Sequence, residues 1–157
     1  MPGEKKVVED SSSGSGHYLF KVTIVGPDDS LLAETLRMCT EKVVAVDGIK
    51  ITSTKTQVDG SDVRTVMMSP GREAQSLLLS LTFKGATAAI IVMRDADPEV
   101  EAHYRNEIRE KIGAGYPTRV FLTGPRVTTK KKQEFLRLLD ELTEEMLLQR
   151  KAKTRER

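Results

Sequence analysis

Residues 86–93, "ATAAIIVM", run for eight positions without a charge. They show no alternation of polar and apolar side chains, so a strand built from them is buried on both faces. Such a strand belongs inside a parallel sheet with helices on either side. The flanking sequence supplies the helices. "DPEVEAHYRNEIREKIGAG" has Asp97 as a cap and Pro98 in the first helical position, with Val100, Tyr104, Ile108 and Ile112 on one face. Gly113 and Gly115 end it. Upstream, "SPGREAQSLLLSLTFKG" opens as a turn and continues as a helix closed by Gly85.

The remaining segments fall into the same alternation. "YLFKVTIVG" is a β-rich apolar run ending at Gly26, and Leu32, Leu36 and Cys39 recur at helical spacing behind it. "KVVAVDGIKITSTKTQVDGSDVRTVMM" reads as two antiparallel strands joined at Asp59-Gly60, with no helix between them. "TRVFLTG" is the last strand. A closing helix is predicted from about Thr129 to Arg150, with a buried stripe of Phe135, Leu138, Leu139, Leu142 and Met146. The order β-α-β-β-α-β-α-β-α predicts a three-layer α/β domain with a mostly parallel five-stranded sheet and one antiparallel hairpin strand. It occupies residues 18–150, between a low-complexity leader (1–17) and a basic tail (151–157).

Composition narrows the chemistry. The 157 residues suffice for one domain with a core, and 31% charged residues fit a charged surface around it. A formal net charge of +2 is too small to argue for nucleic acid. Cys39 is the only cysteine, which excludes an internal disulfide and a multi-thiolate zinc site. His17 and His103 are the only histidines, so a histidine-rich metal site is not expected either. No apolar run approaches the roughly 20 residues of a membrane-spanning helix. The leader lacks the apolar centre of a signal peptide, and a cytoplasmic protein is expected.

In sheets of this kind, ligands bind beyond the carboxyl ends of the strands. The "GPDD" loop, Gly26 to Asp29, lies on that side. It starts like a phosphate-binding loop, with an apolar strand entering glycine, but continues with two carboxylates. Asp28 or Asp29 is expected to cap the following helix. Either aspartate favours the helix dipole and competes there with an incoming anion.

One long segment is similar to the second half of a Ras-like small GTPase. In that family a "DTAGQE" turn leads to a helix, then "YRGA", a buried strand and a capped helix. Here "SPGREAQSLLLSLTFKGATAAIIVMRDADPE" places "FKGA" and "AAIIVMRDADPE" at matching distances. The resemblance spans roughly residues 18–127 and implies a P-loop-NTPase-like fold. It also implies a guanine-nucleotide site with magnesium, whose chemistry this chain lacks. Counting G-x-x-x-x-G-K-[ST] from Gly26, the second glycine falls on Leu31, the lysine on Leu32 and the magnesium-binding hydroxyl on Ala33. The metal-side aspartate falls on Met68, the family glycine is kept as Gly71, and the water-orienting glutamine falls on Arg72. The guanine-reading Asn-Lys-x-Asp falls on Gly124, Pro125, Arg126 and Val127.

The resemblance therefore implies a degenerate, catalytically inactive member with no cofactor, acting through protein contacts. The expected surfaces are the hairpin edge, about residues 49–67, and the Gly71 turn with its helix. A first alternative is a divergent GTPase that keeps GTP or GDP with magnesium and uses Arg72 or Lys130. A second is a receiver-like signalling domain, whose phospho-acceptor position falls nearest Ser69 and which requires a helix where the hairpin is read. Arg126, Lys130, Lys131 and Lys132 form a candidate patch for an anionic partner, since lysines at a helix N-terminus oppose its dipole. The tail "RKAKTRER" is expected either to continue the closing helix, to hang free, or to contact an anionic surface.

Overall fold

The computed structural model describes residues 16–39, 42–46, 48–70 and 84–155. The chain runs β1 (His17–Val25), α1 (Asp29–Arg37), β2 (Val44–Val46), β3 (Ile49–Val58), β4 (Ser61–Pro70), β5 (Ala88–Met93), α2 (Pro98–Lys111), β6 (Thr118–Leu122) and α3 (Thr129–Arg155). The helix predicted over 71–84 falls almost entirely outside the described residues.

The strands form one six-stranded sheet in the order β2-β3-β4-β1-β5-β6. β4, β1, β5 and β6 are mutually parallel, and β2-β3-β4 is antiparallel. This corrects the expectation of five strands with one antiparallel member. The additional strand, β2, pairs with β3 from Val44–Ile51 to Val46–Ile49. It arises where Gly48, with a φ of 84°, precedes β3 and the chain reverses. The predicted turn at Asp59-Gly60 has φ values of 51° and 80°, left-handed at both positions as a two-residue hairpin requires.

β5 is buried at all six positions, as its sequence demands, and its side chains divide between two cores. Ala88, Ile90 and Val92 join Phe20, Val22 and Ile24 of β1 beneath α1 and α3. Ala89, Ile91 and Met93 join Val25 beneath α2. From α1, Leu31, Leu32 and Leu36 enter the first core; from α3, Phe135, Leu139, Leu142 and Met146 do. Tyr104 and Ile108 enter the second core from α2, flanked by Val100 and Ile112 as the spacing predicts. Helices thus lie on both faces of the sheet.

Two boundaries shift. His17, assigned to the leader, starts β1 opposite Asp62 of β4. The closing helix continues to Arg155, so most of the expected tail is helical. No helix among the described residues is long and apolar enough to cross a membrane.

Candidate functional site at the strand tips

Three loops leave the carboxyl ends of neighbouring parallel strands: Gly26–Asp28 after β1, Arg94–Asp97 after β5 and Thr123–Thr128 after β6. The first is only three residues long. Its brevity comes from Asp28, which caps α1: Oδ1 accepts from Leu31 N at 3.1 Å, and the Asp28 carbonyl accepts from Leu32 N at 3.0 Å. The helix therefore begins at Asp29, and the count from Gly26 runs into its body. Leu31, Leu32 and Ala33, at the phosphate-loop positions, are buried side chains of α1. They do not line a loop. Asp29 sits in the first turn.

Gly26 is kept for a reason that needs no ligand. A Cβ there would run into the backbone carbonyl of Val92, well inside van der Waals contact. Glycine lets β1 leave the sheet close against β5.

The other carboxylate oxygen of Asp28 meets a residue the sequence reading did not single out. Arg94 donates from Nε and Nη2 to Asp28 Oδ2 at 3.2 and 3.1 Å, and from Nη1 to the Pro125 carbonyl at 2.9 Å. One guanidinium thus joins all three loops. Gly124 N adds a bond to the Arg94 carbonyl at 2.9 Å. The Asp28 carboxyl is held below its ordinary value, first by the Leu31 N–H; burial, the next-largest effect, raises it, and Arg94 and the Ser30 N–H lower it further. The helix N-terminal amides and the nearby cation, the groups that would hold a phosphate, already hold an internal carboxylate. Beside them lies a cavity of about 320 Å³ bordered by Pro27, Asp28, Arg94, Asp95 and Asp97. Its carboxylates repel a polyphosphate.

The described residues at the family's nucleotide and magnesium positions do not carry its binding groups. Met68 is a half-buried strand residue of β4, and Ser69 is buried beside it, opposite Lys50. Gly71 and Arg72 lie outside the described residues. Gly124 follows β6 with a φ of 75°, Pro125 accepts from Arg94, Arg126 is exposed and Val127 packs against the core. None is a base-reading side chain. Among the described residues no group of three or more His, Cys, Asp or Glu side chains is placed to hold a metal ion. The described residues of 42–70 are strand, turn or irregular chain, with no helix among them, so the receiver-like alternative lacks its required element.

The four basic residues of the candidate patch have different surroundings. Lys131 turns to the sheet, donating to the Leu122 carbonyl at 3.0 Å and Glu134 at 3.3 Å, over the ring of Phe121. Thr128 caps α3 by accepting from Lys131 N at 3.2 Å. Lys132 borders a separate groove of about 330 Å³ with Glu34, Arg37 and Met38 of the α1 side. Lys130 and Arg126 are exposed.

Cys39 lies just past α1, with its sulfur 3.7 Å from Met67 Sδ. Burial pushes its thiol up to about 12, against an opposing pull from Lys132, and the side chain packs against the first core. His103 is exposed, with its ring edge-on to Tyr104.

No protein-family model matches the sequence, and comparison with curated proteins finds no match.

Proposed function

We propose that this chain is a catalytically inactive, Ras-like domain of the P-loop-NTPase type, working in the cytoplasm as a protein–protein contact or scaffold module without nucleotide or magnesium. One observation carries the reading: the β1–α1 connection has three residues, and the Asp28 carboxylate within it takes both the α1 amide and the Arg94 guanidinium. A phosphate would have to displace a group already bonded there. Charge-assisted bonds of this kind are worth about 1.5–3 kcal/mol each when buried, and less here because both side chains are partly exposed. The incoming phosphate would gain no lysine or magnesium anchor in return.

What is left for function is surface. With no phosphate to sense, such a surface has no ligand-driven switch and stays in one state. Isothermal titration with GTP, GDP and ATP in the presence of magnesium tests the proposal. The expected result is no binding tighter than about 10 μM, roughly 7 kcal/mol. Tighter binding of any of the three overturns it.

A further inference from the structure

The two edges of the sheet are finished differently. At the β6 edge, Lys131 Nζ donates to the Leu122 carbonyl at 3.0 Å and Arg119 Nη1 to the Thr118 carbonyl at 3.3 Å. Side chains of the domain itself occupy backbone acceptors there. At the other edge, β2 pairs with β3 only along Ile49–Ile51. β3 continues to Val58; the Lys42 carbonyl accepts from the Thr52 hydroxyl at 2.8 Å, and among the described residues no strand pairs with the outer side of β3 beyond Ile51.

The hairpin register shows which backbone groups are left open. The two-residue Asp59-Gly60 turn makes Val58–Ser61 the closing hydrogen-bonded pair, and bonded pairs alternate from there. Val58, Thr56, Thr54 and Thr52 therefore bond to β4. Ser53, Lys55 and Gln57 turn N–H and C=O outward, in line with Ile51, which β2 engages. This is a template for one added strand.

The side chains beside it define the partner. Lys55 lies opposite Arg64, and both are exposed. Among the described residues neither has a carboxylate partner. Asp62, in the next pair, is bonded to Gln57 at 2.9 Å and lies 3.4 Å from His17 Nδ1. A cavity of about 660 Å³ adjoins this end of the sheet, with Lys55, Gln57, Arg64 and Leu19 among its described lining. A second copy is a poor occupant, because pairing through this edge sets the two Lys55 side chains directly opposite or diagonal to each other.

We propose that the outer edge of β3, Ser53 to Gln57, docks an extended acidic segment of a protein partner as an added strand, with its carboxylate beside Lys55 and Arg64. The inference rests on reading the domain as a contact module and names that partner's chemistry.

The test titrates two short synthetic peptides into the isotope-labelled full chain. Both are rich in threonine and valine; one carries a central glutamate and the other a lysine. The acidic peptide is expected to shift the amides of Ser53, Lys55 and Gln57 saturably, and to bind at least about tenfold tighter than the lysine peptide. Lys55→Glu reverses that order. Lys55→Pro removes an outward N–H without touching the bonds to β4 and abolishes binding with the rest of the spectrum unchanged. The proposal is overturned if neither peptide binds below about 1 mM, if Lys55→Pro binds as well as the natural chain, or if the shifts map elsewhere. It is also overturned if sedimentation shows the chain dimerising through this edge. Nucleotide enters none of these measurements, so their failure is distinct from that of the inactive-domain reading.

Discussion

The loops beyond the strand tips and the outer edge of β3 use their backbone groups in opposite ways. At the tips, the α1 amides, the Pro125 carbonyl and both oxygens of Asp28 are consumed by contacts within the chain, most of them through Arg94. Along β3, three residues past the end of β2 turn backbone groups outward with no strand of the described chain paired to them. The first region is where an α/β sheet ordinarily receives a ligand; the second is where a sheet ordinarily receives another strand. Here the ordinary ligand region is closed from inside and the pairing region is open. The contrast teaches that what a fold's habitual binding place offers is set by its loops, here by a connection of three residues.

The comparison can be broken by substitution. The largest effect is expected at Gly26. Gly26→Ala forces a methyl into the Val92 carbonyl and should cost about 3 kcal/mol or more, read as a lowered urea midpoint at unchanged slope. A change below about 0.5 kcal/mol would mean the close approach to β5 does not constrain the loop. Next comes Asp28→Ala, which removes the cap of α1 and strands Arg94; about 1–2 kcal/mol is expected from the same measurement. Nucleotide binding should still not appear, because the connection remains three residues long. Gain of GTP binding by that variant would show that the carboxylate, and not the loop length, excludes phosphate.

The same aspartate gives the tips a pH dependence. Its folded-state pKa lies below the ordinary value, so its stabilising contribution is complete above the ordinary carboxylate range, near pH 4, and is lost as pH falls through the lowered folded value. Asp28→Asn should flatten that part of the acid unfolding curve. An unchanged acid limb would argue that the contacts around Asp28 do not persist in solution. A smaller gain is expected in the sheet interior. The Thr65 hydroxyl is buried without a hydrogen-bond partner among the described residues, and Thr65→Val should stabilise by up to about 1 kcal/mol. At the open edge, Ser53→Val should move stability by less than about 0.5 kcal/mol, since nothing packs on that exposed position.

Local signals in the sequence matched local structure. Asp97-Pro98 starts α2, Asp59-Gly60 turns the hairpin, and the uncharged run at 86–93 is the strand between the two cores. β2 is not legible because its three residues sit in a long extended stretch with no period of their own. The positions counted along a phosphate-loop pattern were displaced for a different reason. A pattern fixes spacing, whereas the helix start is fixed by the capping bond from Leu31 N to Asp28. Arg94 had no local signal at all. Its role depends on partners 66 and 31 residues distant in sequence, which only the assembled sheet brings near. The different surroundings of the basic cluster were not legible either, because they depend on α3 bringing Lys131 to β6 and Lys132 to the α1 side.

The tight passage of Gly26 past Val92 bears on how such a domain changes over time. A longer loop cannot be slipped in beside that glycine while the chain still hugs its neighbour, and a lysine at position 32 would point into hydrocarbon until the helix had moved. Building a triphosphate pocket at this corner would take an insertion, the eviction of two leucines and a new home for Arg94, all together.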